Sequence, residues 1–512
     1  MSDRMRLMGM YSGMDTESII SQLVAVKQNK VTKLKGEQTK LEWKQTQWQD
    51  LNSKIYSLYS STLSNLRYES SYSKKSTTCS DTTKASVVAG NDAVVGTQTL
   101  QVLDLAKSGY ITGAELKQKE SADGKKSDWK TSDKLSDMAN GSLVGKTISI
   151  TVGKGDDAKT TDIKITGDMT IAKFTEELKN AGVNASFDEG NQRFFISSTS
   201  TGTANGFEIT AKDADGNESL ASLTALGIGG TADCAKVKAQ DAKIVLNNAT
   251  FTSDTNTFSI NGLTITALGE TDGEITINTT NDYEGVYNTI KDFISEYNEL
   301  IIEMDKLYNA DSARKYDMLT DEEKEAMTDE EIEKWEDTIK NSLLRKDSTI
   351  STIMNSMTNI MMDGYEINGE KKYLFDFGIK TLSYFEAEDH ERRAYHIDGD
   401  PDNEKTSGKT DMLKKAIAED PQGTAEFFST LCKKMYEKLD KLMASTEYSS
   451  VYKVYNDKQL KSEYDEFDKK IKDAEEALAD YEDKWYDKFS AMESAMAKMQ
   501  SNSNAVTSML GM

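Results

Sequence analysis

Asp398, Asp400 and Asp402 alternate as the first three oxygen ligands of a calcium-binding loop do. The pattern then breaks, because Asn403 stands where the sharp turn needs glycine and Lys409 where a bidentate glutamate must close the site. A solvated acidic turn around Pro401 is expected instead. Asp213, Asp215 and Asn217 fail in the same way, with Glu218 in the glycine position. Asp376-Phe377-Gly378 copies the magnesium-binding triplet of kinases, but no glycine-rich loop, strand lysine or catalytic loop accompanies it. Gly227-Ile228-Gly229-Gly230-Thr231-Ala232 fits a loose dinucleotide fingerprint, yet a polar, Leu/Ala segment precedes it where a buried strand is required, so it reads as a loop. The chain has two histidines, His390 and His396, both expected in surface loops and too few for a multi-histidine metal site. Cys79, Cys234 and Cys432 form no C-x-x-C pair and read as buried free thiols. No catalytic residue, cofactor or metal site is therefore expected, and the chain does not read as an enzyme.

Composition excludes further classes. Among 512 residues, 86 Asp and Glu outnumber 62 Lys and Arg, for a net charge of -24. Such a surface repels phosphate backbones and anionic lipid, which disfavours nucleic acid as a partner. No stretch approaches the ~18 apolar residues of a spanning helix, so neither membrane insertion nor a cleaved leader is expected. The length calls for several domains. The first of only two prolines is Pro401, which leaves room for long uninterrupted helices.

Those helices are written at both ends. Asp15 can cap a helix reaching about Tyr68, with Met14 stapling onto Ile19. Its apolar residues are Ile20, Val24, Val31, Leu34, Leu41, Trp48, Leu51, Ile55 and Leu58, and Leu34, Leu41, Trp48 and Ile55 repeat every seven. A narrow seam on a long helix needs a partner helix. From Leu460 the other end offers Tyr464, Phe467, Ile471, Ala474, Leu478, Tyr481, Trp485, Phe489, Met492, Met496 and Met499, in steps of three and four with one irregularity after Trp485. Residues 1–70 carry ten basic and seven acidic side chains, and residues 456–500 carry eight and thirteen. The segments thus have opposite sign, +3 against -5, and attract modestly. A pair closing a domain within one chain and an assembly surface between chains both fit. Met354, Met357, Met361 and Met362, and the C-terminal methionines through Met509 and Met512, suit core filling or a surface that repacks.

Between the helices the period changes. Residues 76–112 are rich in Thr, Val and Ser and read as strands. Thr170–Ala181 reads as a helix between strands at 146–152, 162–165, 183–187 and 193–198. Phe258–Ile260, Asn261-Gly262 and Leu263–Ala267 spell a hairpin with a type I′ turn. Helix returns at Asp282, and capping boxes at Thr320/Glu323 and Thr328/Glu331 open further helices. The expected fold is α+β and multidomain, elongated, with long coiled-coil-like terminal helices, a helical domain and nested strand-rich domains. The expected bounds are 1–42 with 456–512 for the terminal segments, 43–75 with 281–455 for the helical domain, 76–112 with 236–280 for a β-rich domain, and 113–235 for a variable α+β insert.

Tyr11-Ser12-Gly13-Met14-Asp15-Thr16-Glu17-Ser18-Ile19-Ile20 closely resembles the opening of the bacterial flagellar filament-capping family, flagellar hook-associated protein 2. So do Leu41-Glu42-Trp43-Lys44, Leu51-Asn52-Ser53-Lys54, the block from Thr257 to Ile265, and the ending from Trp485-Tyr486 through Met496 to Leu510-Gly511. The resemblance covers about 1–110 and 240–512, and says least about 113–235. It implies a non-catalytic cap, a homo-oligomeric ring at the flagellum tip that folds and inserts exported flagellin beneath it and prevents its loss. It also implies secretion by the flagellar type III export machinery with an export chaperone, and an extracellular location. Terminal segments mobile until assembled would accord with seams that have no partner inside one subunit. The seam positions expected to contact the filament are Ile20, Val24, Val31, Leu34, Leu41, Trp48, Tyr464, Phe467, Ile471, Leu478, Tyr481, Trp485, Phe489, Met492 and Met496. Two other readings remain: a surface adhesin binding host mucin or glycans through 113–235, and a flagellin-like or hook-filament junction subunit.

Overall fold

The computed structural model describes residues 13–120 and 124–509. Tyr11, Ser12, Leu510 and Gly511 of the resemblance, and Met512 of the C-terminal methionines, lie outside the described residues. The chain forms two compact units: one joins the two ends, up to Tyr72 and from Tyr283 onward, and the other holds Ser73–Asp282.

The terminal unit is helical. Helix α1 (Thr16–Ser57) starts where Asp15 accepts a hydrogen bond from the Ser18 amide at 3.0 Å. At Leu58–Leu63 the helix widens into a π-helical turn before a last short turn, Ser64–Leu66. The bulge turns Tyr59 onto Tyr436, with rings stacked 4.4 Å apart and the Tyr59 hydroxyl 2.7 Å from Asp440. After the second unit the chain returns as α2 (Tyr283–Asn309), α3 (Asp321–Glu325), α4 (Asp329–Ser342), α5 (Ser348–Met362), α6 (Met412–Glu419), α7 (Pro421–Leu442) and α8 (Asp457–Met509). Both expected capping boxes are present, at Thr320/Glu323 and Thr328/Glu331. One apolar core runs through the unit from Leu41 to Leu460 and includes Phe293, Tyr297, Phe427, Phe428 and Leu431, all essentially solvent-free. Met354, Met357 and Met361 fill that core, whereas Met362 is exposed. Cys432 is buried there; burial pushes its thiol up to about 12, which keeps it protonated and inert. Cys79 and Cys234 are half-buried rather than buried, and all three thiols are free.

The strand-rich unit has two cores. In the first, a five-stranded antiparallel sheet runs Lys75–Cys79, Ile275–Asn281, Gly96–Asp104, Ala242–Leu246, Ala249–Ser253, and faces a three-stranded sheet of Thr257–Ile260, Leu263–Ala267 and Ala85–Ala89. The hairpin turn forms as read: Asn261 and Gly262 both have positive φ, 48° and 78°. Gly262 is also sterically required, since a Cβ there would come within 2.6 Å of the Ala93 amide. In the second core the helix Ile171–Asn180, capped by Thr170, packs on Val183–Asp188, and Phe174 meets Phe194 edge-on at 5.9 Å. Its four-stranded sheet takes in Tyr110–Thr112 and Ala235–Val237.

Candidate assembly surface

Helices α1 and α8 pack along one another as an antiparallel pair. Nearest the core the Trp48 and Tyr455 rings stack at 5.3 Å, 9° from parallel. One turn further on, the Asn52 amide donates to the Tyr452 carbonyl at 3.2 Å and accepts from the Val454 N–H at 2.9 Å. Outward, Gln38 hydrogen-bonds Asp468, Lys35 pairs with Glu475 at 2.6 Å, and the Lys27 ammonium lies 5.9 Å from the Tyr481 ring centre. Lys35 and Glu475 are each about half exposed, so that ion pair adds at most a few tenths of a kcal/mol, about what exposed pairs contribute. The apolar seam therefore holds the helices together.

The seam positions are placed unevenly. Ile20, Val31, Leu41, Trp48 and Ile471 are buried, whereas Val24, Leu34, Tyr464, Phe467, Leu478, Tyr481, Trp485, Phe489, Met492 and Met496 are half-buried. Tyr481, Trp485 and Phe489 form a ladder of rings at 6.2 and 6.3 Å, and the Trp485 indole N–H is buried without a hydrogen-bond partner among the described residues. The expectation that the seams lack a partner inside one subunit is corrected here, because each seam is the partner of the other. The physical reason is their register: the two heptad runs lie at matching distances from the shared core and have opposite charge.

Sequence reasoning passed over three contacts on α1. Gly36 sits mid-helix because Met318 lies against it; a Cβ at Gly36 would stand 3.0 Å from the Met318 Cβ. The Lys340 ammonium sits 4.8 Å above the Trp43 ring, and the Gln47 amide donates to the Lys340 carbonyl at 2.9 Å. These fix α4 and the segment before α3 against α1. Gly36 was the available signal, since an interior helix glycine costs stability without a packing reason. Asn52, buried on an otherwise apolar face, was the other.

The motifs that imitate chemistry have structural roles. Lys291 binds Asp400 at 2.7 Å and Asp402 at 2.5 Å, while Lys380 and Lys409 pair with Asp398, so three ammonium groups occupy the acidic loop. Burial alone would lower the Lys291 ammonium, but its hydrogen bonds to the two carboxylates outweigh this and hold it above its ordinary value. Asp376 caps a short 3-10 turn by accepting from the Tyr373 amide at 2.8 Å, and Gly378 ends that turn with φ 71°. Gly227 and Gly230 lie in the loop after the short helix Leu220–Ala225. His390 pairs with Asp305 at 2.8 Å. His396 is not in a surface loop: it lies in the strand Tyr395–Ile397, half-buried, and burial lowers its pKa below 6.5. Among the described residues no cluster of His, Cys, Asp or Glu could hold a metal ion, and no helix is long and apolar enough to cross a membrane.

Two family descriptions match the chain: flagellar hook-associated protein 2 N-terminus over residues 12–109, and flagellar hook-associated protein 2 C-terminus over residues 239–501, the latter just over half of the chain. The chain belongs to the flagellar hook-associated protein 2 family. Proteins of that name include one from Halalkalibacterium halodurans, 24% identical over 526 residues that cover 96% of this chain and 97% of the relative. Another, from Escherichia coli K12, is 23% identical over 81% of this chain and 78% of its own. An A-type flagellar hook-associated protein 2 from Pseudomonas aeruginosa is 28% identical over 59% of this chain and 63% of its own. The fold is that of the crystal structure of the D1-D2-D3 domains of the flagellar cap protein FliD from Escherichia coli, with a TM-score of 0.53 at 19% identity, covering 82% of this chain and 99% of that one. Residues 110–238 lie between the two matched regions.

Proposed function

We propose that this member of the flagellar hook-associated protein 2 family acts without catalysis as a filament cap: a ring of identical subunits at the distal, extracellular end of the flagellum that retains exported flagellin and assists its folding and insertion. The observation that carries this is the match of both chain ends to one family whose named relatives include a flagellar cap protein, together with the antiparallel α1 and α8 pair that those ends form. In this reading the terminal segments, 1–42 and 456–512, form the leg toward the filament. Residues 43–75 with 281–455 form the helical domain, 76–112 with 236–280 the β-rich domain, and 113–235 the insert.

A ring whose symmetry differs from that of the helical filament meets each filament subunit in a different setting, so its legs need contacts that repack. The half-buried ladder of Tyr481, Trp485, Phe489, Met492 and Met496 suits that demand better than a closed core would. The test removes 1–40 and 470–512 together, which spares the core that begins at Leu41 and ends at Leu460. The expected result is a folded, soluble protein that does not restore filament growth to a strain lacking its native cap; normal filaments from that truncation would overturn the reading.

A further inference from the structure

The chain has three cysteines, all free, against 22 tyrosines. A phenol is the other side chain that joins covalently to its own kind under oxidation, and it needs two rings that touch and that an oxidant can reach. Among the described residues four tyrosine pairs have rings in contact: Tyr56 with Tyr59 at 6.1 Å, Tyr56 with Tyr452 at 5.4 Å, Tyr59 with Tyr436 at 4.4 Å, and Tyr297 with Tyr395 at 5.8 Å. Burial sorts them. Tyr59, Tyr297 and Tyr395 are at most 6% exposed, which closes three of the four pairs to an oxidant. In the remaining pair Tyr56 is 38% exposed and Tyr452 48%.

That pair is also held in place. Tyr56 stands one turn after Asn52 on α1, and the Asn52 side chain grips the loop that carries Tyr452, donating to the Tyr452 carbonyl and accepting from the Val454 N–H. The Tyr452 N–H donates in turn to the carbonyl of Met443, which caps the end of α7, at 2.9 Å. Tyr452 has φ 62°, a left-handed conformation that a bulky residue rarely adopts. Backbone strain of this kind persists where the surroundings fix the residue, and here they set its ring against Tyr56 with the planes 57° apart. A tilted pair brings the edge of one ring to the other, and the edge carries the carbons ortho to the hydroxyl. Tyr59 and Tyr436 instead stack face to face, 14° from parallel.

We propose that Tyr56 and Tyr452 form an oxidative cross-linking site, at which peroxide acting through a haem peroxidase couples the two phenols into dityrosine and staples α1 to the loop before α8. Each phenol gives up one electron and its hydroxyl proton. The two phenoxyl radicals pair their electrons in one carbon–carbon bond between ortho positions, and the two ortho hydrogens move to the oxygens as the rings regain aromaticity. Hydrogen peroxide takes up the two electrons and two protons and leaves as two waters. The link joins residues from opposite ends of the sequence, so it closes the base of the α1 and α8 pair and leaves the outer seam untouched.

The experiment treats the full-length protein with hydrogen peroxide and a plant haem peroxidase, then maps the products by dityrosine fluorescence and by mass spectrometry after digestion. The expected product is a peptide pair that joins Tyr56 to Tyr452 and is lighter by two hydrogens than the separate peptides. Its yield per chain should not fall on dilution, because coupling within one chain runs at an effective concentration set by the fold. Tyr56→Phe and Tyr452→Phe should each lose the product; both keep the ring and its packing and remove only the phenol. Tyr68→Phe, at a tyrosine 53% exposed and outside the four pairs, should form it as the wild type does. Circular dichroism confirms that each variant keeps its helices. Coupling that occurs only between chains and falls on dilution, or a link within the chain that survives either of the first two variants, overturns the site. So does a chain whose exposed tyrosines are oxidised without a link between Tyr56 and Tyr452.

Discussion

Met318 lies against Gly36 so closely that its Cβ would stand 3.0 Å, and its Cγ 3.1 Å, from a Cβ at that glycine. This contact explains why a 42-residue helix tolerates its least helix-prone ordinary residue at an interior position. It also explains how the segment leading to α3 is seated on α1.

The first prediction tests that seating. Gly36→Leu should destabilise the terminal unit by about 1–3 kcal/mol, the usual cost of overpacking a filled contact. In a Met318→Gly background both contacting atoms are gone, and Gly36→Ala should then stabilise by roughly 0.5–1 kcal/mol through helix propensity alone. Urea denaturation of the wild type, Gly36→Ala, the Met318→Gly variant and their double variant completes the cycle; additive effects would show that the two residues do not share the contact.

Asn52 carries the second prediction. It satisfies the Tyr452 carbonyl and the Val454 N–H at once, in a buried position. Asn52→Ala leaves that N–H unpaired and should cost about 1–3 kcal/mol. Asn52→Asp keeps the acceptor but loses the amide donor, so it should keep the bond from Val454 and lose the one to Tyr452. Hydrogen exchange at the Val454 amide separates them: fast exchange in the Ala variant, slow in Asp.

What was legible in the chain, and what was not, follows from the range of the interactions. Caps at Asp15, Thr320 and Thr328 and the Asn261-Gly262 turn are set by neighbours within about four residues, and they formed as read. The heptad seams told that the two terminal helices can partner one another but not whether they do so within one chain or between chains, because register depends on the distance of each seam from a core assembled by other segments. The π-turn at Leu58–Leu63 answers to Tyr436 and Asp440, far away in the chain, and leaves no local trace. The Asp398 loop was read as a failed calcium site from its own residues, while the lysine that fills it, Lys291, comes from a different helix.

That loop carries the third prediction. Because ammonium groups occupy the positions a cation would take, millimolar calcium should leave the Tm unchanged. Lys291→Met should lower stability by about 1–3 kcal/mol, since Asp400 is only 8% exposed and loses the group that compensates its charge. A calcium-dependent rise in the wild-type Tm would contradict the assignment. Gained calcium sensitivity in Lys291→Met alone would support it.

His396 gives the last prediction, a dependence on pH with a defined sign. Its ring is half-buried, Nδ1 lies 2.9 Å from the Asn403 amide nitrogen, and Nε2 has no hydrogen-bond partner among the described residues. Burial lowers the folded-state pKa below the 6.5 of the free side chain. The unfolded chain therefore binds the proton more readily, so stability is highest above pH 6.5 and falls as the pH drops from 6.5 to the folded-state pKa, below which this residue adds no further change. Paired carboxylates such as Asp402 and Asp457, both held low, add their own loss only as the pH falls through the carboxylate range. The histidine's share is thus separable between about pH 7.5 and 5.5, a window just around its free pKa. His396→Gln, which cannot charge, should flatten the stability curve there while leaving the steeper acid limb in place. An unchanged slope in that variant would mean that His396 is solvated in the folded protein and does not sense the strand it lies in.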